Sequence, residues 1–266
     1  MPIISMPRIA KAFKATNQAG QKGFIPFITA GDPDLETTRK LIIELARAGA
    51  TLIELGVPFS DPMADGPVIQ RASERALRHG FGLAEVLTTI GDARKETNVP
   101  IVLFSYFNPL LQFGIEKLAD QAKQSGVDGV LVTDLVPEEA AEFSSLLHAR
   151  DLDMIFLVAP TSTDERLRLI SKQASGFIYA VSRAGVTGER SEMSAEAEKL
   201  VERVRRFSDL PVAVGFGVST PEHVRDVWRY ADAAVVGSAI VSEIERAATP
   251  ADAVSRVAAF ARQLIS

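Results

Sequence analysis

A buried strand that breaks into an acidic loop occupies the run Ile53-Glu54-Leu55-Gly56-Val57-Pro58-Phe59-Ser60-Asp61-Pro62-Met63-Ala64-Asp65-Gly66-Pro67. The first residues are apolar, and proline, glycine and acid dominate the rest. A carboxylate at the end of a buried strand is unusual, because its removal from water costs several kcal/mol unless something compensates it. Glu54 is therefore the first candidate for a functional side chain.

Similar apolar runs recur along the whole chain, and we count eight of them. They are continuous rather than alternating, which is typical of parallel strands covered on both faces. The predicted strands are Gly23–Ala30, Thr51–Gly56, Pro100–Phe107, Gly129–Leu135, Asp153–Ala159, Gly176–Ser182, Pro211–Gly217 and Ala233–Ser238.

Helical patterns separate these strands. The predicted helices are Leu35–Ala48, Ile115–Ser125, Pro137–Arg150, one opening at Thr163-Asp164-Glu165, Ser194–Phe207, one opening at Thr220-Pro221-Glu222, and Pro250–Leu264. Asp32, Ser194 and Thr220 have the short polar side chains that cap helix N-termini.

Eight strand–helix units in roughly 250 residues predict a closed (β/α)8 TIM barrel. Met6–Ala19 precedes the first strand and is predicted to be an extra N-terminal helix that closes the barrel bottom. Strand spacing is regular and no linker-like stretch occurs, so residues 1–266 are interpreted as a single domain. The alternative is an open doubly wound sheet, but the first strand is followed by Gly31 alone rather than by a glycine fingerprint.

The bulk composition narrows the function. A net charge of −5 with a pI near 5.4 gives no reason to expect nucleic acid as a partner. The chain has no cysteine, which excludes disulfides and thiolate chemistry. The N-terminus lacks a signal-peptide pattern, and no apolar run reaches the roughly 20 residues of a membrane helix. We expect a soluble, cytoplasmic protein with no membrane association.

In such a barrel, active residues lie at the carboxyl ends of strands and in the loops that follow. Glu54 occupies one of these ends, which makes a functional role more probable than a satisfied structural carboxylate. Asp61 and Asp65 in the same loop can also be interpreted as turn residues. For Asp32, a role as a helix cap and a functional role are equally supported.

Glycine-bearing ends on the seventh and eighth strands predict a phosphate site. Gly217 and Gly237-Ser238 allow backbone N–H groups and a helix N-terminus to approach an anion. Gly188 lies in the polar segment after the sixth strand, which is interpreted as a lid. Tight turns without a ligand are the alternative.

Absent residue types restrict the chemistry further. No lysine falls at the carboxyl end of a predicted strand, so a Schiff-base mechanism has no nucleophile there. The histidines, His79, His148 and His223, lie in or beside predicted helices and form no metal-binding pattern. The remaining chemistry is acid–base catalysis without metal or cofactor on a phosphorylated substrate.

The motif Ile53–Gly66 closely resembles the signature of tryptophan synthase α subunits. Further blocks resemble the family in the same order: Pro26-Phe27 with Gly31-Asp32-Pro33, Tyr106-Phe-Asn108-Pro109, Tyr179 with Ser182–Gly188, Gly215–Val218 and Gly237-Ser238. The resemblance implies a lyase of L-tryptophan biosynthesis that cleaves indole-3-glycerol phosphate into indole and glyceraldehyde-3-phosphate.

The resemblance also implies roles for individual residues. Glu54 would be the general acid/base, and Asp65 would accept the indole N–H and stabilise the cation that develops on the ring. The residues implied in substrate binding are Phe27, Leu131 and Phe216 on the indole, Gly188, Gly217, Gly237 and Ser238 on the phosphate, and Tyr106, Tyr179 and Thr187 as further positioning contacts.

Family members dock on a β subunit in an α2β2 heterotetramer. Pyridoxal phosphate belongs to that β subunit, so the resemblance implies no cofactor for this chain. The loop Pro58–Asp65 and the segment around Asn108 would face the partner.

The residues alone leave three alternative functions to consider. A related barrel synthase would need a lysine at a strand end, which this chain lacks. A glycosidase would use the two carboxylates, but its sugar platform needs aromatic residues, and Trp228 lies in a predicted helix. A non-catalytic regulatory subunit would be favoured by loss of Glu54 or Asp65, and both are present.

Overall fold

A closed barrel of eight parallel strands forms the centre of the computed structural model, which describes residues 6–181, 190–215 and 217–266. Each strand pairs with its neighbours in chain order, and β8 pairs with β1 to close the ring. The strands are β1 (Gly23–Thr29), β2 (Ile53–Gly56), β3 (Ile101–Ser105), β4 (Gly129–Val132), β5 (Asp153–Val158), β6 (Ile178–Val181), β7 (Val212–Gly215) and β8 (Ala233–Val236). The predicted barrel and all eight strands are confirmed.

Helices cover the outside of the barrel. They are α1 (Arg8–Gln18), α2 (Leu35–Arg47), α3 (Pro67–Leu77), α4 (Leu83–Ala93), α5 (Phe107–Phe113), α6 (Ile115–Ser125), α7 (Ala141–His148), α8 (Asp164–Gln173), α9 (Arg190–Arg205), α10 (Pro221–Trp228), α11 (Ser238–Glu245) and α12 (Pro250–Leu264). Sequence patterns did not predict α3, α4 or α5.

Two predicted helix starts are wrong. Pro137 lies in a separate turn before α7, and its carbonyl accepts the N–H of Ala140 at 3.4 Å and the Gln173 side-chain amide at 2.9 Å. Helix α9 begins at Arg190, so Ser194 lies inside the helix and is not its cap. Thr220 does cap α10, since its hydroxyl accepts the N–H of His223 at 3.3 Å.

Alternation along the strands divides the core in two. In β1, Phe24 and Ile28 point outwards to the helices, whereas Ile25 packs inside the barrel with residues such as Leu52 and Val102. This follows from the period of two in a strand, which sends successive side chains to opposite faces. Every second residue at a strand's carboxyl end therefore faces the barrel mouth.

Helix α1 closes the barrel bottom, as predicted. Ile9 is fully buried and packs with the inner cluster, and the ring of Phe13 lies 5.8 Å from that of Phe177 at the start of β6. Arg8 anchors the helix by donating to the buried Asp128 carboxylate at 2.6 Å. Helix α1 therefore fills the end of the barrel at which the strands begin.

Candidate active site

Glu54 lies at the mouth end of β2, between Phe27 of β1 and Val102 of β3 in the strand register. Its side chain is buried, with 1% of the residue exposed, and within the described part of the chain its Oε1 atom has no hydrogen-bond partner. Burial raises the pKa of Glu54 from its usual value to about 8, because the charged form is poorly solvated there. At neutral pH the group therefore carries a proton that it can donate.

Tyr179 lies near Glu54 on the inner face of β6. It is 5% exposed, and burial together with the charge of Glu54 raises the pKa of its phenol well above the usual range. Its hydroxyl occupies the space over Gly215 on β7, where an added Cβ would lie 2.0 Å from Tyr179 Oη. Gly215 therefore leaves the room that a neutral Tyr179 needs beside the carboxyl group.

Gly215→Ala is expected to lower the indole-forming activity about 10²-fold, because Tyr179 must move by more than 1 Å. Adding Tyr179→Phe to Gly215→Ala removes the closest clashing atom and should restore part of the loss. Gly91→Ala is the matched control, since its Cβ would meet only Ser125 Cα at 4.0 Å. The test compares the rates of the parent, the two single variants and the double variant. A rate for Gly215→Ala equal to that of the parent would contradict this packing.

Asp65 ends the loop between β2 and α3 and is half-buried. Burial raises the pKa of its carboxyl group, and a hydrogen bond with the Tyr106 hydroxyl opposes that rise. Burial, and next the charge of Asp65, raises the pKa of Tyr106 to about 12, so this hydroxyl remains protonated. The barrel mouth thus has two carboxyl groups in different surroundings. Such a difference allows one carboxyl group to be protonated and act as an acid while the other is ionised.

Apolar rings form one wall of the mouth. Phe27 is 5% exposed, and its ring meets that of Phe104 edge-on with centroids 5.3 Å apart. Gly56 makes this possible, since a Cβ there would lie 2.5 Å from Phe27 Cζ. Leu131 of β4 is fully buried in the inner cluster and pairs with Phe104 of β3 in the strand register. Such a wall suits a flat aromatic substrate.

Phe104 is a site residue that the sequence patterns did not single out. It is only partly buried and lies on β3 opposite Gly56 of β2. A usable signal exists, because strand alternation places residues 102, 104 and 106 on the same face. The next residue on that face is Tyr106, which was predicted for the site.

The two predicted glycine ends lie on neighbouring strands. Gly217 follows β7 with a φ of 75°, which glycine adopts without strain. Gly237 precedes α11, whose first residue is the exposed Ser238. The first N–H groups of a helix have no hydrogen-bond partner within the helix, so they are available to bind an anion at its N-terminus. Thr187, Gly188 and Phe216, which were also predicted for the site, lie outside the described residues.

Asp32 does not cap a helix, which corrects one alternative for this residue. The cap of α2 is Asp34, whose carboxylate accepts the N–H of Thr37 at 2.6 Å. Asp32 is fully buried and accepts two hydrogen bonds of 2.8 Å from Arg75 on α3. The carboxylate therefore ties the loop after β1 to the helix that follows Asp65.

The described residues contain no group of three or more histidine, cysteine, aspartate or glutamate side chains that could hold a metal ion. None of their helices is long and apolar enough to cross a membrane.

Comparison with known proteins places this barrel in a family. The family model for the tryptophan synthase alpha chain matches residues 13–266. The chain belongs to the tryptophan synthase alpha chain family. Its members cleave indole-3-glycerol phosphate, and membership makes this chain a lyase of tryptophan biosynthesis. The resemblance seen in the motif around Glu54 is thereby confirmed, and the glycosidase rival is set aside.

Individual tryptophan synthase alpha chains are similar over nearly the whole length. The protein from Citrifermentans bemidjiense is 52% identical over 241 residues, which cover 91% of this chain and 90% of that one. The protein from Solibacter usitatus is 47% identical over 259 residues, with 97% of each chain covered. Such similarity extends well beyond the motif Ile53–Gly66.

Solved structures of the family show the same fold. The alpha subunit from Legionella pneumophila superposes with a TM-score of 0.89 at 38% identity, covering 98% of this chain and 99% of that one. The tryptophan synthase α2β2 complex from Pyrococcus furiosus contains a chain with a TM-score of 0.85 at 40% identity, covering 91% of this chain and 97% of that one.

Proposed function

We propose that Glu54 and Asp65 carry out the cleavage of indole-3-glycerol phosphate in this chain. The observation that carries the proposal is the state of Glu54: buried at the barrel mouth, without a partner for Oε1 among the described residues, and with a pKa raised to about 8. A general acid works best when its pKa lies near the working pH. No other carboxyl group of the described mouth combines these properties.

The proposed reaction keeps its protons in balance. Neutral Glu54 gives its proton to the indole carbon that bears the glycerol chain, and the ring becomes a cation. The resulting carboxylate takes the proton of the adjacent glycerol hydroxyl. The carbon–carbon bond then breaks, its electron pair restores the neutral indole, and the hydroxyl carbon becomes the aldehyde of glyceraldehyde-3-phosphate. Glu54 ends the cycle protonated, so the chain needs no co-reactant.

Asp65 is proposed to stabilise the cation that forms in the middle of this cycle. Its carboxylate accepts the ring N–H, whose positive charge grows in the transition state. An anion fixed in advance at that position stabilises the transition state more than the substrate. Burial of Asp65 favours the neutral form, and the hydrogen bond with Tyr106 opposes this by favouring the ionised form that the role requires.

The remaining predicted residues, together with Phe104, are proposed to hold the substrate. Phe27, Phe104 and Leu131 pack against indole, while backbone N–H groups at Gly217, Gly237 and Ser238 bind the phosphate. Tyr179, whose phenol stays neutral beside Glu54, orients the carboxyl group or the substrate. Thr187, Gly188 and Phe216 complete the site in the same proposal. Residues 1–266 act as one domain, supported by a core cluster that includes both Phe24 of β1 and Leu264 of α12.

The pH dependence of kcat/KM follows from the active state, in which Glu54 is protonated and Asp65 is ionised. Glu54 loses its proton as the pH rises through about 8, so we expect kcat/KM to fall there. On the acid side, kcat/KM should fall at a pH above the usual carboxyl range, because the pKa of Asp65 is raised. Initial rates of indole release between pH 5 and 9 measure both limbs. A rate that stays constant through the alkaline limb would contradict the role of Glu54 as acid.

A β subunit is the proposed partner, and this chain is proposed to work without a cofactor of its own. Pyridoxal phosphate would be bound by the β subunit. The P. furiosus relative assembles as an α2β2 complex, and the loops on one side of this barrel mouth have an apolar surface that suits such a contact. Four exposed large apolar residues follow the adjacent strands β2, β3 and β4. They are Met63 at 93%, Leu77 at 37%, Leu111 at 55% and Val136 at 39% exposure.

Leu111→Glu on α5 is expected to weaken binding of the β subunit about tenfold, because it places a charge among these exposed apolar residues. The rate of the isolated chain should stay within twofold of the parent, since Leu111 is 55% exposed and is not among the residues proposed to hold the substrate. Met6→Glu at the barrel bottom is the matched control, with an exposed apolar residue at the opposite end. Titration with purified β subunit gives both affinities, and equal values for the two variants would argue against this docking surface.

The direct test of the function is indole release from indole-3-glycerol phosphate by the purified chain, with and without a β subunit. We expect slow release by the chain alone and faster release when the β subunit is added, because the partner favours the closed site. Absence of indole under both conditions would overturn the proposed reaction.

A further inference from the structure

The segment that holds Asp65 makes few contacts of its own. We call residues 59–65 the Asp65 loop. Four of its members are exposed: Ser60, Asp61, Met63 and Ala64. Within the loop, the N–H of Asp65 bonds to the Pro62 carbonyl at 3.0 Å. A loop with so little buried surface depends on contacts from neighbouring elements for its conformation.

Two side chains outside the loop provide such contacts. Tyr106, directly after β3, accepts the N–H of Ala64 at 2.8 Å, and its ring packs on that of Phe59 with centroids 5.2 Å apart. Gln70, in the second turn of α3, donates to the Asp65 carbonyl at 2.9 Å. Tyr106 thus contacts both ends of the loop, and it is itself 6% exposed.

The backbone around Tyr106 is also fixed. The hydroxyl of Ser105 donates to the Tyr106 carbonyl at 2.9 Å, and the N–H of Phe107 donates to Asp134 at 2.7 Å. Tyr106 therefore joins a rigid strand end of the barrel to a poorly supported catalytic loop. A side chain that is held on both sides loses little further entropy when it orders its neighbour.

We propose that Tyr106 is a positioning residue that orients the Asp65 carboxylate and keeps it ionised. This inference rests on the proposed role of Asp65. A tyrosine hydroxyl has one proton to donate. Here the hydroxyl accepts from Ala64 at 2.8 Å, and its hydrogen bond with Asp65 lowers the pKa of that carboxyl group. We assign the hydroxyl proton to Asp65, whereas the sequence resemblance implies Tyr106 in substrate binding.

The chemical consequence concerns the charge of Asp65. Burial favours its neutral form, which would place a proton where the indole N–H must bind. The hydrogen bond from Tyr106 favours the anion and opposes this effect. Tyr106 therefore acts on the reaction through Asp65, because it orients the Asp65 carboxylate and favours its ionised form.

Tyr106→Phe tests the proposal. We expect kcat for indole release to fall roughly tenfold or more, as for loss of a hydrogen bond to a charged group. KM for indole-3-glycerol phosphate should stay within about threefold, and the acid limb of the kcat profile should move to higher pH. Tyr230→Phe is the matched control, because Tyr230 lies after α10 on the outside of the barrel, and it should match the parent in all three measurements.

A second variant separates action through Asp65 from direct substrate contact. In an Asp65→Asn background, measured in single turnover with enzyme in excess, adding Tyr106→Phe should change the rate by less than twofold. If Tyr106→Phe lowers the rate as much in the Asp65→Asn background as in the parent, the proposal is overturned. It is also overturned if Tyr106→Phe alone raises KM and leaves the acid limb of the kcat profile at the same pH.

Failure of the inference differs from failure of the proposed function. If Asp65→Asn is impaired while Tyr106→Phe matches the parent, Asp65 is catalytic and Tyr106 does not position it. If Asp65→Asn itself matches the parent, the proposed role of Asp65 fails, and the positioning role fails with it.

Discussion

Glu54→Gln is expected to lower kcat for indole release by about 10²–10⁴-fold, the usual contribution of a general acid/base. The amide keeps the shape of the side chain but cannot donate a proton to carbon. Substrate binding should persist, because the proposed phosphate and indole contacts lie on other residues. Binding measured by titration and turnover measured by indole release distinguish loss of chemistry from loss of the site.

Folding provides an internal control for this variant. Glu54 has a higher pKa in the folded chain than in the unfolded chain, so folding favours its protonated form. The contribution of this group to the free energy of unfolding is therefore complete at a pH below the pKa of Glu54 in the unfolded chain. That contribution is lost as the pH rises towards about 8. Glu54→Gln does not titrate, so its stability relative to the parent should increase between pH 5 and pH 8. Glu44→Gln on the outer helix α2 should leave both activity and this pH trend unchanged. Turnover by Glu54→Gln within threefold of the parent would exclude Glu54 as the proton carrier.

Asp65→Asn is expected to have the second largest effect, a fall in kcat of about 10²–10³-fold, because a fixed group that stabilises developing charge typically contributes this much. An amide at this position still contacts the indole ring but has no negative charge to offset the ring cation. The acid limb that belongs to Asp65 should disappear from the pH profile of the residual activity.

Asp61→Asn is the matched control for Asp65→Asn. Asp61 lies four residues earlier in the same loop, is exposed, and accepts a hydrogen bond of 2.9 Å from its neighbour Ser60. The variant loses the same charge at an exposed position that has no proposed contact with the substrate, and its rate should stay within twofold of the parent. If both variants lose activity equally, the loop charge as a whole matters, and a specific role for Asp65 is contradicted.

Hydrophobic patterns were sufficient to predict the barrel. Each strand is a short apolar run, and a parallel barrel buries such runs on both faces, so the pattern and the fold correspond directly. The missed helices differ in their patterns. Helix α3 buries small residues, namely Ala72, Ser73 and Ala76, which give a weak hydrophobic signal. Helix α4 was predictable, because Leu83, Val86, Leu87 and Ile90 follow helical spacing, although Thr88-Thr89 and Gly91 have low helix propensity.

The position of Glu54 was also predictable, because a carboxylate at a buried strand end is costly wherever it occurs. The surroundings of Asp65 were not. Its hydrogen bond with Tyr106 joins residues 41 positions apart in sequence, since the loop after β2 folds back over the end of β3. The same limit explains Asp32, whose ion pair with Arg75 depends on the packing of α3 against the loop after β1. Tertiary contacts of this kind leave no local pattern in a sequence.

The protonation state of Glu54 is the most direct test, since the reaction starts with its proton. Infrared difference spectra between the parent and Glu54→Gln isolate the carbonyl band of the protonated Glu54 carboxyl group. We predict that this band is present at pH 7 and disappears with a midpoint near pH 8. A Glu54 that is already ionised at pH 7, with no such band, would contradict its role as the acid that begins the cleavage.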